Sequence, residues 1–318
     1  MAVSCRTGWA TASLVALGLL ARMRLWLDPG IAAPGWRQAW VEMELPLVPY
    51  VAAVLYSVFG VHEWLGALLP YAAGLAAPVA LFALARRVVD SRAAWLGAAL
   101  LAVSPVLAAY SQGLMSDPVM LCLSVVAVLA FHRWLEERRR SSLALSGIAA
   151  ALAIALKPTA LLIGVPLFVL AWQRFGARLL RRPVLWGFAA LCLIPPAAWY
   201  AHAHALMAET GHTFGVLSGG YSKLAHVGVL TSPAFYLRLG VRLGLYHLTP
   251  VWALASLPGF FLLARAPASR FVAAWLLAGG VLLLAVAEGT HQMVYYHLPV
   301  LPPACLAAGV GVVAAWDR

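Results

Sequence analysis

Charge is scarce in this chain. Asp and Glu number 11 and Lys and Arg 22 in 318 residues, so charged residues make up 10% of the total. Soluble domains carry nearer a quarter. Lysine is scarcer still, with Lys157 and Lys223 the only two. With 64% hydrophobic residues, this composition excludes an ordinary soluble domain. Period-two alternation is missing as well, which argues against a membrane β-barrel. Internal repeats and low-complexity tracts are lacking, and no separate soluble domain is expected. Cys122, Cys192 and Cys305 lie within apolar runs and Cys5 near the start. None has metal-ligand spacing, and they read as small core residues.

What the chain does have is apolar segments, recurring from end to end at lengths of roughly 17–25 residues. The fold class they predict is all-α, a polytopic membrane protein of about ten transmembrane helices. The expected spans are 8–26, 63–85, 93–110, 118–134, 142–156, 158–173, 184–201, 248–264, 271–287 and 298–316. Gly8 to Leu20, behind Arg6, has the make-up of a signal peptide. No small-residue cleavage site precedes Arg22 and Arg24, so an uncleaved first helix is expected.

The net charge of +11 invites a nucleic-acid reading, which fails. The basic residues sit in short clusters between apolar runs, as membrane orientation requires. Arg86, Arg87 and Arg92 group with Arg133, Arg138, Arg139 and Arg140, and with Arg174, Arg178, Arg181 and Arg182. Arg265, Arg270 and Arg318 join them. By the positive-inside rule that side is cytoplasmic and holds both termini. Leu47 to Phe59 is apolar but short for a span, and if it crossed, every later cluster would change sides. It is therefore expected to lie at the outer interface, with Tyr50 and Tyr56 at headgroup level. The result is a single transmembrane domain, 1–318, with outer loops at 27–62 and 202–246.

Titratable chemistry gathers on the outer side. Asp28, Glu42, Glu44, Glu63, Asp117, Glu209 and Glu288 fall there, with every histidine except His132. A carboxylate that takes a proton from a hydroxyl, beside a cation that holds an anionic leaving group, is the minimum kit for glycosyl or phosphoryl transfer. The first loop offers Asp28, Glu42 and Glu44 for the first part and Arg37 for the second; the bland alternative is a solvated loop. Asp117, before Pro118, is expected to cap a helix, with a second role in the site as the alternative. Lys157, before Pro158, either snorkels to the interface or binds a lipid phosphate. The residue before proline leaves the helix readily, which frees the ammonium to enter a cavity. Arg238 and Arg242, one turn apart, either clamp an anion or face headgroups. His291 and His297 lack helical metal-ligand spacing, so zinc is not indicated. Outer carboxylates are able to hold Mg²⁺ or Mn²⁺ through oxygen, but no spacing demands it, and the cofactor stays open.

Five stretches occur in an order that resembles the GT-C glycosyltransferases. They are GWRQ (35–38), EMELPLVPYVAAVLYSVFGVHEWLG (42–66), LMSDPVM (114–120), LKPTALLIGVPL (156–167) and HQMVYYHLPVLPP (291–303). The nearer likeness is to the bacterial branch related to dolichyl-phosphate-mannose protein mannosyltransferases and to lipid A aminoarabinose transferase. The resemblance implies transfer of a sugar, with inversion, from a polyprenyl-phosphate donor to a lipid, glycan or protein acceptor. The reaction would occur on the outer face of the cytoplasmic (inner) membrane. It also implies a catalytic acidic residue in the first outer loop, an interfacial helix, and cations that hold the donor phosphate. Candidates for that contact are Arg37, Lys157, Arg238 and Arg242, with His297 donating a further hydrogen bond. The loop is shorter than in relatives: only three residues separate Gln38 from Glu42. Either Asp28 or Glu44 takes over as base, with Glu42 the remaining candidate, or the chain is a catalytically degenerate member. A non-enzymatic lipid or polysaccharide carrier is the other alternative, and spans nearly free of charge at mid-depth argue against it.

Overall fold

The computed structural model describes residues 42–213, 215 and 222–317. The expected first span, 8–26, lies outside them, as do Cys5, Asp28 and Arg37. The chain divides into two compact units, Met1–Met43 with His202–Gly220, and Glu44–Ala201 with Tyr221–Arg318.

In chain order the helices are α1 (Leu47–Phe59), α2 (Glu63–Ala85), α3 (Ser91–Ala102), α4 (Pro105–Ser111), α5 (Asp117–Glu137) and α6 (Arg140–Leu156). A 3₁₀ turn, Pro158–Ile163, leads into α7 (Gly164–Phe175), and a second, Gly176–Arg181, leads to α8 (Pro183–Thr210). There follow α9 (Val227–Leu230), α10 (Pro233–Val241), a π-helical turn Arg242–His247, α11 (Pro250–Arg265), α12 (Arg270–Ala285) and α13 (Ala287–Gln292). The 3₁₀ stretch Val294–Val300 ends the series with α14 (Leu301–Trp316). Among the described residues there is no β-strand, only an isolated parallel bridge between Glu42 and Thr213.

The all-α membrane class holds. Five helices among the described residues are long and apolar enough to cross a membrane, or seven if each of two bent pairs counts as one span. Nine of the ten expected spans fall within the described residues, and five to seven helices there have that length and apolarity. The expected span 93–110 is broken at Pro105, where α3 and α4 meet at 50°. Proline removes a backbone donor and bars the helical conformation just before it. The helical stretch 233–247, α10 with its π turn, and α11 meet at 103°, again at a proline, Pro250. With 13 residues, α1 is about 20 Å long, short of the roughly 30 Å hydrocarbon core. It ends at Gly60, whose φ of 82° suits a residue without Cβ.

The segment 202–246, expected as a loop, is partly helical. No breaker interrupts 197–210, so α8 runs on to Thr210, and α10 with the π turn fills 233–247. Polarity alone does not end a helix; it only moves its end out of the hydrocarbon.

In the larger unit, small residues bring backbones together. A Cβ on Gly259 of α11 would collide with the Ala307 carbonyl of α14, and one on Gly311 would collide with the Ala255 carbonyl. On the other flank of α14, a Cβ on Gly309 would lie 2.5 Å from the Ala93 carbonyl oxygen of α3. Such contacts replace the hydrophobic effect between helices in lipid, where association rests on close van der Waals packing. Large side chains point outward instead: Trp186, Ile194, Leu254 and Val281 are each more than half exposed. Cys192 and Cys305 are buried, as a core role requires.

Candidate active site

The break at Pro158 builds the centre of the site. Proline offers no N–H to the Ile154 carbonyl, so the last turn of α6 has unsatisfied acceptors. The Tyr200 hydroxyl, within 3.0 Å of the Ile154 carbonyl oxygen and 2.9 Å of that of Ala155, fills the gap. The Leu45 amide also donates to the Ala155 carbonyl, at 2.9 Å. That bond ties the segment before α1 to the end of α6 and carries Glu44 with it. Lys157 takes the extended conformation expected before proline, φ −153° and ψ 121°, and its side chain leaves the helix line.

Three charged residues meet there. Lys157 Nζ lies 3.1 Å from Glu44 Oε2 and 3.5 Å from Asp117 Oδ2. It also sits 4.9 Å from the centre of the Tyr295 ring, a cation–π distance. Asp117 is 2% exposed by side chain, Lys157 14% and Glu44 27%. Burial raises the Glu44 carboxyl above its ordinary range, and the nearby ammonium pulls it only part of the way back. Burial opposes charge on Lys157, but Asp117 and Glu44 together outweigh it and hold the ammonium above its usual range. Burial and the neighbouring Asp117 carboxylate make Glu44 bind a proton more tightly than a carboxylate in water, which strengthens it as a base.

Asp117 does not cap its helix. Ser116 takes the cap position without a side-chain capping bond, and Asp117 opens α5. Its carboxylate faces the Lys157 ammonium, the stronger, charge-assisted partner in a dry setting. The helix N-terminus still favours its negative charge.

The segment 287–300 forms a common wall. Arg242 Nη1 donates to the Thr290 carbonyl at 2.7 Å, and Arg238 Nη1 lies 3.1 Å from His291 Nε2. Tyr295 faces Lys157 and meets Tyr110 edge-on. His297, 1% exposed, is bonded to the equally buried His247, with 3.0 Å between His297 Nδ1 and His247 Nε2. The two arginines are thus gathered beside one short segment. His297 is engaged behind it with His247, a residue that no sequence signal singled out. Tyr295 is a partner of Lys157.

Glu42 belongs to the smaller unit. It is fully buried, accepts a bond from the Thr213 hydroxyl, and lies 3.5 Å from His204 Nδ1. Its amide donates to the His212 carbonyl at 3.0 Å. These contacts fix a strap of backbone. Asp28 and Arg37 lie outside the described residues. Among the described residues no three His, Cys, Asp or Glu side chains gather as a metal site, and the cation that Glu44 and Asp117 share is Lys157.

The all-helical membrane fold is that of the GT-C transferases. Residues 44–202 match the family model for dolichyl-phosphate-mannose-protein mannosyltransferase, and the chain belongs to that family. The fold is similar to that of ArnT from Cupriavidus metallidurans in the apo state. The TM-score is 0.64 at 20% identity, over 98% of this chain and 62% of that one. The same protein bound to undecaprenyl phosphate gives 0.64 at 19% identity, over 87% and 54%. The oligosaccharyltransferase of Archaeoglobus fulgidus, tethered with an acceptor peptide, gives 0.56 at 16% identity, over 86% and 41%. This chain therefore spans less than two thirds of the length of either transferase. No curated protein matches it by sequence.

Proposed function

We propose that the protein is a glycosyltransferase of the cytoplasmic membrane. It moves a sugar from a polyprenyl-phosphate donor to a lipid, glycan or protein acceptor at the outer face, and both its termini are cytoplasmic. The observation that carries this reading is the Glu44–Lys157–Asp117 cluster, built where α6 breaks. The acceptor oxygen forms the new bond to the anomeric carbon and the donor phosphate leaves with the bonding pair. The acceptor proton passes to a carboxylate. Glu44 suits that task, being the most exposed of the three and set on a loop. Asp117 and Lys157 hold it in place and balance its charge. Arg238 and Arg242 keep further N–H donors for the departing phosphate, in the forked geometry that suits it. The undecaprenyl phosphate bound to ArnT, and the acceptor peptide on the archaeal enzyme, support donor and acceptor of these kinds.

The test is turnover of a polyprenyl-phosphate sugar by reconstituted protein, with donor binding measured in parallel. Glu44→Gln is expected to lower turnover by roughly 10²-fold or more while donor binding persists. Asp28→Ala, assayed beside it, decides whether the first loop supplies the base instead. If both variants turn over at the wild-type rate, the catalytic assignment is wrong. A wild-type protein that binds donor and never turns it over is a degenerate member.

A further inference from the structure

The end of α5 remote from Asp117, about 30 Å away by helix rise, carries a second arrangement that sugar transfer does not use. The carboxylates at this end are all engaged. Glu136 and Glu137 pair with Arg87, Glu137 also with Arg139, and Asp90 and Asp317 with Arg92. Arg138 and Arg182 have no carboxylate within ion-pair distance among the described residues. Both instead rest on one aromatic ring. Arg138 Cζ is 5.2 Å from the centre of Phe175 and 5.6 Å from that of Trp134, and Arg182 Cζ is 4.1 Å from Phe175. Phe175 is itself buried, so the platform is rigid.

The backbone at each arginine is locally fixed. Arg138 ends α5 in the left-handed region, φ 57°, and Arg182 is held extended just ahead of Pro183. The two guanidiniums lie no more than about 9 Å apart, close enough for one phosphate group to be attracted by both charges. Beside Arg182 the surface turns apolar: Leu180 and Trp186 are 60% and 61% exposed, and the Trp186 indole donates to the Leu180 carbonyl at 2.9 Å. An unsatisfied positive pair bordering exposed tryptophan and leucine is the pattern of a lipid headgroup contact at the interface.

We infer that Arg138 and Arg182, stacked on Phe175, form a binding site for the phosphate headgroup of an anionic membrane lipid, in the leaflet opposite the carboxylate cluster. The lipid's chains lie along the exposed start of α8.

Native mass spectrometry of delipidated protein, titrated with phosphatidylglycerol and separately with phosphatidylcholine, tests this. The wild type should hold phosphatidylglycerol in preference to phosphatidylcholine. Arg138→Gln/Arg182→Gln should bind it roughly tenfold more weakly. Arg92→Gln/Arg139→Gln removes the same formal charge from arginines that already have partners, and should bind as the wild type does. Phe175→Leu keeps both charges and should weaken binding, because the guanidiniums lose their platform. Equal retention by the Arg138/Arg182 variant and the wild type would overturn the site. So would equal binding of the two lipids. Displacement of the lipid by millimolar inorganic phosphate would assign the pair to a soluble anion instead.

Discussion

Replacing Lys157 by methionine removes the ammonium that Glu44 and Asp117 share, while keeping most of the side-chain volume beneath Tyr295. Asp117 is 2% exposed, so its charge has nowhere to go. Breaking a buried pair from one side costs about 3–5 kcal/mol, most of it the penalty of the stranded charge. Glu44, at 27% exposed, keeps contact with water and adds less than about 1 kcal/mol. The double variant Asp117→Asn/Lys157→Met strands no buried carboxylate, and its cost should fall to about 1 kcal/mol. Denaturant titration in detergent measures both. The pH dependence follows from Glu44. Burial already raises its carboxyl above the ordinary value, and loss of the ammonium raises it further. A group whose folded pKa lies above its unfolded one lends stability below the unfolded value and loses it as pH rises through the folded value. The Lys157→Met deficit should therefore be smaller near about pH 5 than near about pH 8. A double variant as unstable as the single one, or a deficit indifferent to pH, would refute the shared-ammonium account.

Three further outcomes are expected. Tyr295→Leu removes the ring face from Lys157 and should cost about 1–2 kcal/mol in the same titration. Gly311→Val forces a side chain into the Ala255 carbonyl and should destabilise by about 3 kcal/mol or more, read as lost monodispersity in detergent. Thr213→Val takes a hydroxyl donor from buried Glu42, at about 1–3 kcal/mol. Hydrogen exchange should quicken in 204–213 and stay unchanged in 117–157.

Sequence and structure agree where one local rule decides the outcome. The apolar runs mark the helices, and the Lys-Pro pair at 157–158 marks the break and the extended lysine. The run from His202 to Thr210 is misread as loop because it lies beyond the apolar run, while the backbone needs only the absence of a breaker to stay helical. The convergence of Glu44, Asp117 and Lys157 depends on a backbone bond from Leu45 to Ala155, which no spacing in the sequence encodes. The two aromatic roles, Tyr295 over Lys157 and Phe175 beneath two arginines, are invisible for the same reason. An aromatic at a membrane boundary reads alike whether it faces lipid or a cation. His247 gives no signal because its partner, His297, comes from a different element.

The glycine contacts of α14 have a further consequence. Where backbones touch at Gly259, Gly309 and Gly311, no flexible side chain lies between them to absorb a slide or a roll. Helix α14 is thereby keyed to α3 and α11 like a bolt in a notched plate. The stretch Val294–Val300 runs directly into it and inherits that fixed height. Tyr295 and His297 are levelled by carbonyl contacts deep in the helix packing, so a methyl group added far from any charge would move the chemistry.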